Sequence, residues 1–369
     1  MFKFESRNCP MCNSNSKTDL NIDGDKEKVG FNVICKDCGL IYHNPVPSIS
    51  SLEDYYAKEF SKEYHESDDM QATLANNRFS FLEKFIDISL IKTSFEIGSS
   101  YGDFVKVLND KGIDSFGIEP SKELSNIASN TRNVKSINTT FENFEIDFNF
   151  DLVCGFHVLE HFYDPLGVLL RLGSILKKNG YLYIEVPTIE IPQLAQVFKI
   201  IHPTVFHKNT IISLLQISGF KIEKIELISS NIRIIAKNIK IFSELENSFD
   251  YVIRDAENYI CQRRKLIENI NNIISKIPNN EALYIYGAGH NTYDLFENTD
   301  LNSKNIQYIV DKDKNKIGNI IFGYSVMEID YLRKIKNGTI VISTFAFQDE
   351  VYSFLTNLKL KNVSILKIY

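Results

Sequence analysis

Phe95-Glu96-Ile97-Gly98-Ser99-Ser100-Tyr101-Gly102-Asp103-Phe104 is the stretch of sequence that decides the fold. In it an apolar strand runs into a turn of small residues and then into a helix. A second short strand, Gly117-Ile118-Glu119-Pro120, ends in an acid. Open α/β sheets bind adenosine-type ligands at the carboxyl ends of their strands, where glycines admit the ligand and an acid accepts hydrogen bonds from a ribose diol. The turn is neither a dinucleotide fingerprint, since Ser100 replaces a glycine, nor a phosphate loop, since no Gly-Lys-Ser/Thr follows.

The pattern from Glu96 to Gly102 is acid-x-Gly-x-x-x-Gly, which resembles the S-adenosylmethionine loop of class I methyltransferases. The resemblance implies that Gly98 and Gly102 shape the loop beneath the methionine part of the cofactor. Glu96 would orient that loop or meet the cofactor amine, and Glu119 would hold the ribose hydroxyls. Tyr101 is either a lid over the sulfonium or a surface aromatic. The remaining residues that the resemblance places at the cofactor are Ser99, Pro120, Glu142, Phe156 and His157.

Strand and helix patterns alternate on both sides of this loop. We expect strands over 94–97, 115–118, 136–138, 152–155 and 181–187, and helices over 103–111, 122–129, 165–176 and 208–218. Such alternation predicts a parallel sheet with helices on both faces, completed by late strands over 222–227 and 232–236. Residues 50–90 are predicted to be helical, and 241–277 to form one long helix.

Four of the six cysteines form two knuckles near the N-terminus, Cys9-Pro10-Met11-Cys12 and Cys35-Lys36-Asp37-Cys38. Two Cys-x-x-Cys pairs at this separation supply the four thiolates that a tetrahedral zinc ion prefers. A closed four-sulfur site has no open position, so we expect the zinc to be structural. A redox pair, or no site at all, are the alternatives. Cys154 and Cys261 lie in apolar patterns and are expected to be buried bystanders.

Charge and hydropathy narrow the classes of function. The formal net charge of −6 argues against a large nucleic-acid footprint. No apolar run reaches the roughly 18 residues that span a bilayer, and the N-terminus has no apolar signal core. The sequence therefore predicts a cytoplasmic protein with no membrane span.

The order of segments resembles a narrower family, the sugar C-methyltransferases, which act on nucleotide-linked deoxysugars. We expect a zinc-binding module over 1–48, a methyltransferase domain with N-terminal helices over 49–240, a linker helix over 241–278 and a Rossmann-like domain over 279–369. The fold class is therefore α/β, a class I methyltransferase sheet flanked by a small N-terminal zinc module and a smaller C-terminal Rossmann-like domain. In that last part, Gly287 and Gly289 form a turn that could meet a nucleotide phosphate at a helix N-terminus or be merely structural.

The resemblance also implies a histidine base for the methyl-transfer step. The family places a Glu-His pair after the fifth strand, and His202 aligns with its histidine, although Ile201 replaces the glutamate. His207 and then His157 are the next candidates. Glu160 and His161 are expected to cap and tether the following helix. A tyrosine, either Tyr55, Tyr56 or Tyr64, would line the substrate cleft.

These features predict a methyltransferase that uses S-adenosylmethionine, carries structural Zn²⁺ and methylates a nucleotide-activated sugar or glycan precursor on carbon or oxygen. A nucleic-acid substrate is the first alternative, because some RNA methyltransferases carry an N-terminal zinc module. A non-catalytic scaffold of a biosynthetic complex is the second. The oligomeric state is open, with a homodimer among the options.

Overall fold

The structure is a computed structural model that describes residues 2–22, 30–58, 68–194, 197–345 and 348–369. The chain divides into two compact units. The first contains Met1–Ile191 and Val197–Ile260, and the second contains Pro192–Gln196 and Cys261–Tyr369. No helix in the described ranges is long and apolar enough to cross a membrane.

The first unit contains thirteen of the described strands. Its main sheet has the order β12-β13-β10-β9-β6-β7-β8. The strands are β1 (Phe4–Glu5), β2 (Lys17–Asp19), β3 (Asn32–Cys35), β4 (Ile41–His43), β5 (Val46–Pro47), β6 (Thr93–Ile97), β7 (Asp114–Ile118), β8 (Lys135–Ile137), β9 (Phe150–Phe156), β10 (Leu176–Pro187), β11 (Thr204–Val205), β12 (Phe220–Ile228) and β13 (Asn231–Asn238).

Helices cover both faces of this sheet. Because successive strand residues point to opposite faces, Val153 of β9 joins the core beneath one helical layer, while Leu152 and Cys154 join the core beneath the other. Helix α7 begins in the first unit and ends in the second. The helices are α1 (Ile49–Lys58), α2 (Asp68–Phe85), α3 (Asp103–Asp110), α4 (Lys122–Thr131), α5 (Pro165–Ile175), α6 (Lys208–Ile217) and α7 (Phe249–Ser275).

The order of the main sheet creates a switch point at its centre. From β6 the chain moves outward to β7 and β8, then crosses back to β9 and β10 on the other side of β6. These five strands are parallel. In open α/β sheets the crevice at such a switch point, beyond the carboxyl ends of the strands, is where ligands bind. The loops that follow β6, β7 and β9 therefore define the site.

The N-terminal segment lies in the first unit. Strand β11, which follows β10 along the chain, pairs with β4 in a sheet of order β11-β4-β3-β2. The Arg7 guanidinium donates hydrogen bonds to the main-chain carbonyls of Tyr163 and Pro203. Cys9, Met11 and Leu40 share one hydrophobic core with residues of the main sheet.

The second unit is a smaller α/β fold built on a six-stranded sheet of order β16-β17-β15-β14-β18-β19. All neighbouring pairs are parallel except β16–β17. Its strands are β14 (Leu283–Tyr286), β15 (Ile306–Asp311), β16 (Ile320–Ile321), β17 (Tyr324–Glu328), β18 (Gly338–Ile342) and β19 (Val363–Lys367), and its helices are α8 (His290–Asn298) and α9 (Gln348–Asn357).

The predicted α/β fold class is confirmed, with two corrections. The main sheet is mixed rather than parallel, because β13 runs antiparallel to both β10 and β12. The long helix begins at Phe249 rather than near residue 241. The Asn247 side chain accepts a hydrogen bond from the Phe249 amide, and the Ser248 hydroxyl donates to the Cys38 carbonyl. These contacts hold the segment before the helix against the cysteine knuckle.

Candidate functional site

The loop that follows β6 is built on left-handed backbone. Gly98, Ser100 and Gly102 have φ of 65°, 48° and 79°, a region that glycine enters without cost. The Ser99 amide donates to the Ile118 carbonyl at 2.9 Å, and the Gly102 amide donates to the Ser99 carbonyl at 2.8 Å, just before α3 begins. The chain thus turns sharply at the carboxyl end of β6, and the main-chain atoms of the loop lie at the switch point.

Glu119 ties this loop to the end of β7. One carboxylate oxygen accepts from the Ser100 amide at 3.0 Å, and the other accepts from the Ser121 amide at 2.8 Å. Burial raises the pKa of Glu119 to about 7, and these two hydrogen bonds act in the opposite direction. Each carboxylate oxygen can accept a second hydrogen bond. The residue can therefore hold the loop and accept from a ribose diol at the same time.

Glu96 presents an unsatisfied oxygen beneath the loop. Its side chain is buried on β6, and Oε2 has no hydrogen-bond partner among the described residues. Burial raises its pKa to about 8, against the opposing influence of the Arg78 charge. A buried polar atom without a partner is costly, and a ligand ammonium group would satisfy it. Glu96 thus fits the amine of S-adenosylmethionine.

The other predicted cofactor residues occupy different environments. Ser99 is buried in the loop, Tyr101 and Pro120 are half-buried, and Glu142 is exposed on a turn after β8. Phe156 packs edge-on against Phe104 with ring centroids 4.9 Å apart. It therefore lies within a hydrophobic core.

Gly98→Ala tests the shape of the loop. An alanine Cβ at this position would lie 2.7 Å from Cγ2 of Val158, on a backbone with φ of 65°. Left-handed backbone alone costs roughly 1–2 kcal/mol for a residue with a Cβ, and the contact displaces the loop in addition. We expect S-adenosylmethionine to bind at least tenfold more weakly, as measured by calorimetric titration.

Gly112→Ala is the matched control, because φ is 81° there and no atom lies within 4 Å of the added Cβ. The Gly112→Ala variant should have the same backbone strain as Gly98→Ala but should keep the wild-type affinity for the cofactor. Adding Val158→Ala to Gly98→Ala should recover part of that affinity. Equal loss of affinity in the Gly112 and Gly98 variants would contradict the assignment of the loop.

Glu119→Gln tests the ribose assignment. A ribose diol favours the carboxylate form, so cofactor affinity of the wild type should fall as the pH drops below about 7, where Glu119 gains a proton. The glutamine variant should bind at least tenfold more weakly at pH values well above 7 and lose this pH dependence. Titrations at several pH values check both points. Unchanged affinity in the variant would remove Glu119 from the site.

His157 follows β9 directly, and it is the predicted base that lies nearest the switch point. Its backbone has φ of 56°, and its side chain is 40% exposed. Nε2 lies 3.2 Å from Oε1 of Glu185, while Nδ1 lies 3.7 Å from Oε1 of Glu160. Burial lowers the pKa of His157, but the hydrogen bond to Glu185 and the charges of both acids outweigh this and raise it.

Glu185 contacts His157, and the sequence did not single it out as a site residue. Its buried carboxylate on β10 accepts from Arg233 of the neighbouring strand at 2.8 Å. Arg78 of α2 lies 3.4 Å away. The signal in the sequence was a charge inside each of two apolar strands, Ile184-Glu185-Val186 and Ile232-Arg233-Ile234. Only the register, which places Glu185 opposite Arg233, shows that these charges meet.

His202 and Tyr56 meet at a second cluster with His161. The rings of His161 and His202 lie 4.9 Å apart edge-on. The Tyr56 hydroxyl is 2.6 Å from Nδ1 of His161 and 3.0 Å from the Ile201 carbonyl, to which it donates. His202 contacts the Val197 carbonyl through Nδ1 at 2.8 Å. The predicted Tyr64 lies outside the described residues.

His207, the other predicted base, caps a helix. Its Nδ1 accepts from the Asn209 amide at 3.1 Å at the start of α6. Nε2 lies 3.2 Å from Oδ2 of Asp255 and 3.5 Å from Oε1 of Glu190. Both ring nitrogens are therefore engaged in holding the local structure.

The four N-terminal cysteines form one cluster. The four Sγ atoms all lie within 4.8 Å of one another; they belong to Cys9, Cys12, Cys35 and Cys38. The Sγ atoms of Cys9 and Cys38 are 3.5 Å apart, and those of Cys12 and Cys35 are 3.4 Å apart, with no disulfide among them. Tetrahedral zinc with Zn–S bonds of about 2.3 Å needs sulfurs roughly 3.8 Å apart. The cluster fits a four-thiolate metal ion after a small expansion.

Gly287 and Gly289 lie in the turn between β14 and α8 of the second unit. Gly287 has φ of 111°, and a Cβ there would meet Oγ of Ser343 at 2.6 Å. The Ala288 amide donates to Asp311 at 2.7 Å, and the Gly287 amide donates to the Val310 carbonyl at 2.8 Å, so two amides of the turn are already used. Nζ of Lys316 lies 3.8 Å from the same carboxylate. The turn thus combines backbone amides, an acid and a lysine.

Residues 74–225 match the model of a protein family described as a methyltransferase domain. Among solved structures, the chain is similar to magnesium protoporphyrin IX methyltransferase from Synechocystis PCC 6803 with bound S-adenosylmethionine, at 13% identity and a TM-score of 0.40, covering 51% of this chain and 96% of that one. It is also similar to S-adenosylmethionine-dependent methyltransferases from Archaeoglobus fulgidus (17% identity, 45% and 94% covered, TM-score 0.38) and Mesorhizobium loti (12%, 43% and 97%, 0.38). No curated protein matches the chain.

The family match, the sheet order and the glycine loop together define the class of protein. The matched residues form a class I methyltransferase domain, which the sequence predicted. The protein contains an S-adenosylmethionine-dependent methyltransferase domain, together with an N-terminal four-cysteine cluster and a second α/β unit beyond the matched residues.

Proposed function

We propose that the acceptor is a nucleotide-activated sugar or a related glycan precursor, methylated on carbon or oxygen. The observation that carries this proposal is the joint presence, in one chain, of a four-cysteine segment, a methyltransferase sheet and a second α/β unit with a glycine turn. This is the order of parts that the sugar C-methyltransferases have.

The cysteine cluster holds structural zinc in this proposal. Its four sulfurs leave no position for a substrate, and it lies on knuckles whose turns are closed by hydrogen bonds from Asn13 to Cys9 and from Gly39 to Cys35, at 2.8 and 2.9 Å. Small segments of this kind have too little core of their own and gain stability from the metal. We therefore assign the zinc to folding rather than to catalysis.

We assign the cofactor to the crevice beyond β6, β7 and β9. When bound there, S-adenosylmethionine supplies a methyl group activated by a sulfonium. Glu96 would meet its amine and Glu119 its ribose, while the Gly98–Gly102 loop would support the methionine part. Correct alignment of acceptor and methyl group accounts for much of the rate enhancement in such reactions.

His157 is the base that we favour over His202 and His207. It lies at the carboxyl end of β9 with a partly exposed ring, and Glu185 orients it through Nε2 at 3.2 Å. A base near neutrality, held by a carboxylate, suits the removal of a proton from a hydroxyl or from a carbon beside a ketone. His157 would take that proton on Nδ1, and Glu185 would stabilise the charged ring.

The glycine turn of the second unit is our candidate for the nucleotide. Its amides and Lys316 suit a phosphate, and Asp311 suits a hydroxyl group. Asp311 already accepts from the Ala288 amide, so the phosphate would bind the remaining amides at the start of α8.

The test combines a binding measurement with a product assay. S-adenosylmethionine is first titrated into the purified protein, and the protein is then incubated with it and a panel of nucleotide-linked sugars and ketosugars. We expect one cofactor per chain and a product heavier by one methylene group. Cofactor binding with no methylated product in the panel would overturn the acceptor class. Methylation of RNA instead would favour the nucleic-acid alternative.

A further inference from the structure

Three side chains at the end of β9 form a compact group that the cofactor does not require. Glu160 and His161 belong to a short 3-10 helix, Leu159–His161, and His202 lies just before β11. One ligand atom from each lies within 4.8 Å of the others. Apart from the four cysteines, this is the one group of potential metal ligands found among the described residues.

His161 is held in one tautomer. Its Nδ1 lies 2.8 Å from the Ile201 carbonyl, and a carbonyl oxygen only accepts, so this nitrogen carries the hydrogen. The Tyr56 hydroxyl donates to the same carbonyl at 3.0 Å. The ring in this tautomer keeps its lone pair on Nε2, which lies 3.9 Å from Oε1 of Glu160.

His202 adopts the same tautomer for the same reason. Its Nδ1 lies 2.8 Å from the Val197 carbonyl, so it donates there and leaves the lone pair on Nε2. The ring is buried. In these tautomers the two adjacent rings each present the lone pair of Nε2, and neither Nε2 carries a hydrogen.

Glu160 is buried, with one carboxylate oxygen left unsatisfied among the described residues. Its side chain is 2% exposed, and Oε2 makes no hydrogen bond there. Its Oε1 lies 3.7 Å from Nδ1 of His157, a longer contact than a hydrogen bond. A buried carboxylate beside two nitrogen lone pairs is a set of acceptors without a donor. A cation would satisfy all three.

We propose that Glu160, His161 and His202 bind a divalent transition-metal ion through one carboxylate oxygen and two Nε2 atoms. Imidazole and carboxylate ligands suit zinc, iron, manganese or cobalt. The carbonyls of Ile201 and Val197 act as the outer partners that fix the tautomers of metal-binding histidines. Three protein ligands leave open positions, in contrast to the four-cysteine cluster.

The role of this metal in catalysis rests on the proposed function. An ion next to His157 could bind an acceptor oxygen and lower the pKa of its hydroxyl group, or stabilise an enolate. His157 would then receive the proton, while His202 would act as a ligand and not as a base. The binding of the metal itself depends on neither statement.

The test is a cobalt titration, without any acceptor, of zinc-loaded protein that carries one zinc ion per chain, at the cysteine cluster. We expect one further cobalt ion per chain, with visible bands of an oxygen and nitrogen site and no thiolate-to-cobalt charge-transfer bands. Glu160→Gln and His161→Gln should each weaken this binding at least tenfold while keeping the affinity for S-adenosylmethionine. His290→Gln, which removes an exposed histidine of the second unit, is the control and should bind cobalt as the wild type does.

Absence of the second cobalt ion, or equal binding in the Glu160 variant and the control, would overturn the proposal. If the variants do not fold, pulsed electron paramagnetic resonance of Cu²⁺ bound to zinc-loaded wild type decides instead. Echo modulation from the remote nitrogens of two imidazole rings would support the site. A spectrum that shows one coordinated imidazole ring, or no such ring, would reject it. Since neither measurement uses an acceptor, failure of the metal site and failure of the sugar assignment are separable.

Discussion

Cys35→Ser should release the metal from the cysteine cluster and strongly destabilise the N-terminal sheet. Cys35 is fully buried at the end of β3, which pairs with both β2 and β4. Structural zinc contributes about 10–16 kcal/mol of binding free energy in zinc-finger peptides, so the loss of one thiolate removes a large part of the stability of this segment. Metal analysis should fall by one zinc per chain, and calorimetry should show an unfolding transition at lower temperature.

Cys261→Ser is the matched control for this prediction. Cys261 is exposed, whereas the sequence predicted a buried residue, and it lies outside the cluster. Its replacement should therefore leave both the zinc content and the unfolding temperature unchanged. A Cys35→Ser protein that retains its zinc and its unfolding temperature would contradict the four-thiolate assignment.

The same variant should disturb the methyltransferase site. Strand β4 pairs with β11, which begins two residues after His202. The Arg7 side chain donates hydrogen bonds to the Tyr163 carbonyl and to the carbonyl of Pro203, the residue that follows His202. The cysteine segment thus supports the backbone that positions His202, and its loss should lower methyl transfer more than cofactor affinity, which depends on the loop after β6.

Local sequence was enough to predict the tight glycine turn after β6 and the grouping of the four cysteines. Gly98 and Gly102 have left-handed backbone conformations. Glycine adopts this conformation readily, so the glycine spacing in the sequence indicates the turn. The two Cys-x-x-Cys knuckles also form by local turns. Both the glycine turn and each cysteine knuckle consist of residues that are close in sequence. They can therefore be recognised without knowing how the strands pair.

The acid and histidine networks were harder to predict because they depend on long-range packing. Glu185 and Arg233 lie 48 positions apart and meet only through the antiparallel register of β10 and β13. The sequence assigned Glu160 and His161 to helix capping, whereas the structure brings them together with His202, 41 positions from His161. No periodicity in the sequence encodes that approach.

Glu185→Gln should destabilise the first unit by about 3–5 kcal/mol, the usual cost of breaking a buried ion pair. Its carboxylate is 5% exposed and lies 2.8 Å from Arg233 and 3.4 Å from Arg78. Burial alone would raise the pKa of Glu185, but the hydrogen bond to His157 and the two guanidinium charges hold it well below its usual range. The neutral amide would remove the counter-charge that Glu185 gives to the buried Arg233 and the half-buried Arg78. Urea unfolding should show a lower midpoint with an unchanged slope.

The pH dependence of that difference identifies its cause. A carboxylate with a depressed folded-state pKa stabilises the protein above its unfolded pKa of about 4.3 and loses that contribution as the pH falls further. The gap between wild type and Glu185→Gln should therefore be complete at neutral pH and shrink in acid. Asp110→Asn, which removes an exposed ion pair with Lys106, should leave the midpoint unchanged at every pH.

Adding Arg233→Met to Glu185→Gln should restore part of the stability, because it removes one of the two arginine charges that the first substitution leaves uncompensated. A double variant that is less stable by the sum of both single changes would show that the pair is held by packing and not by charge.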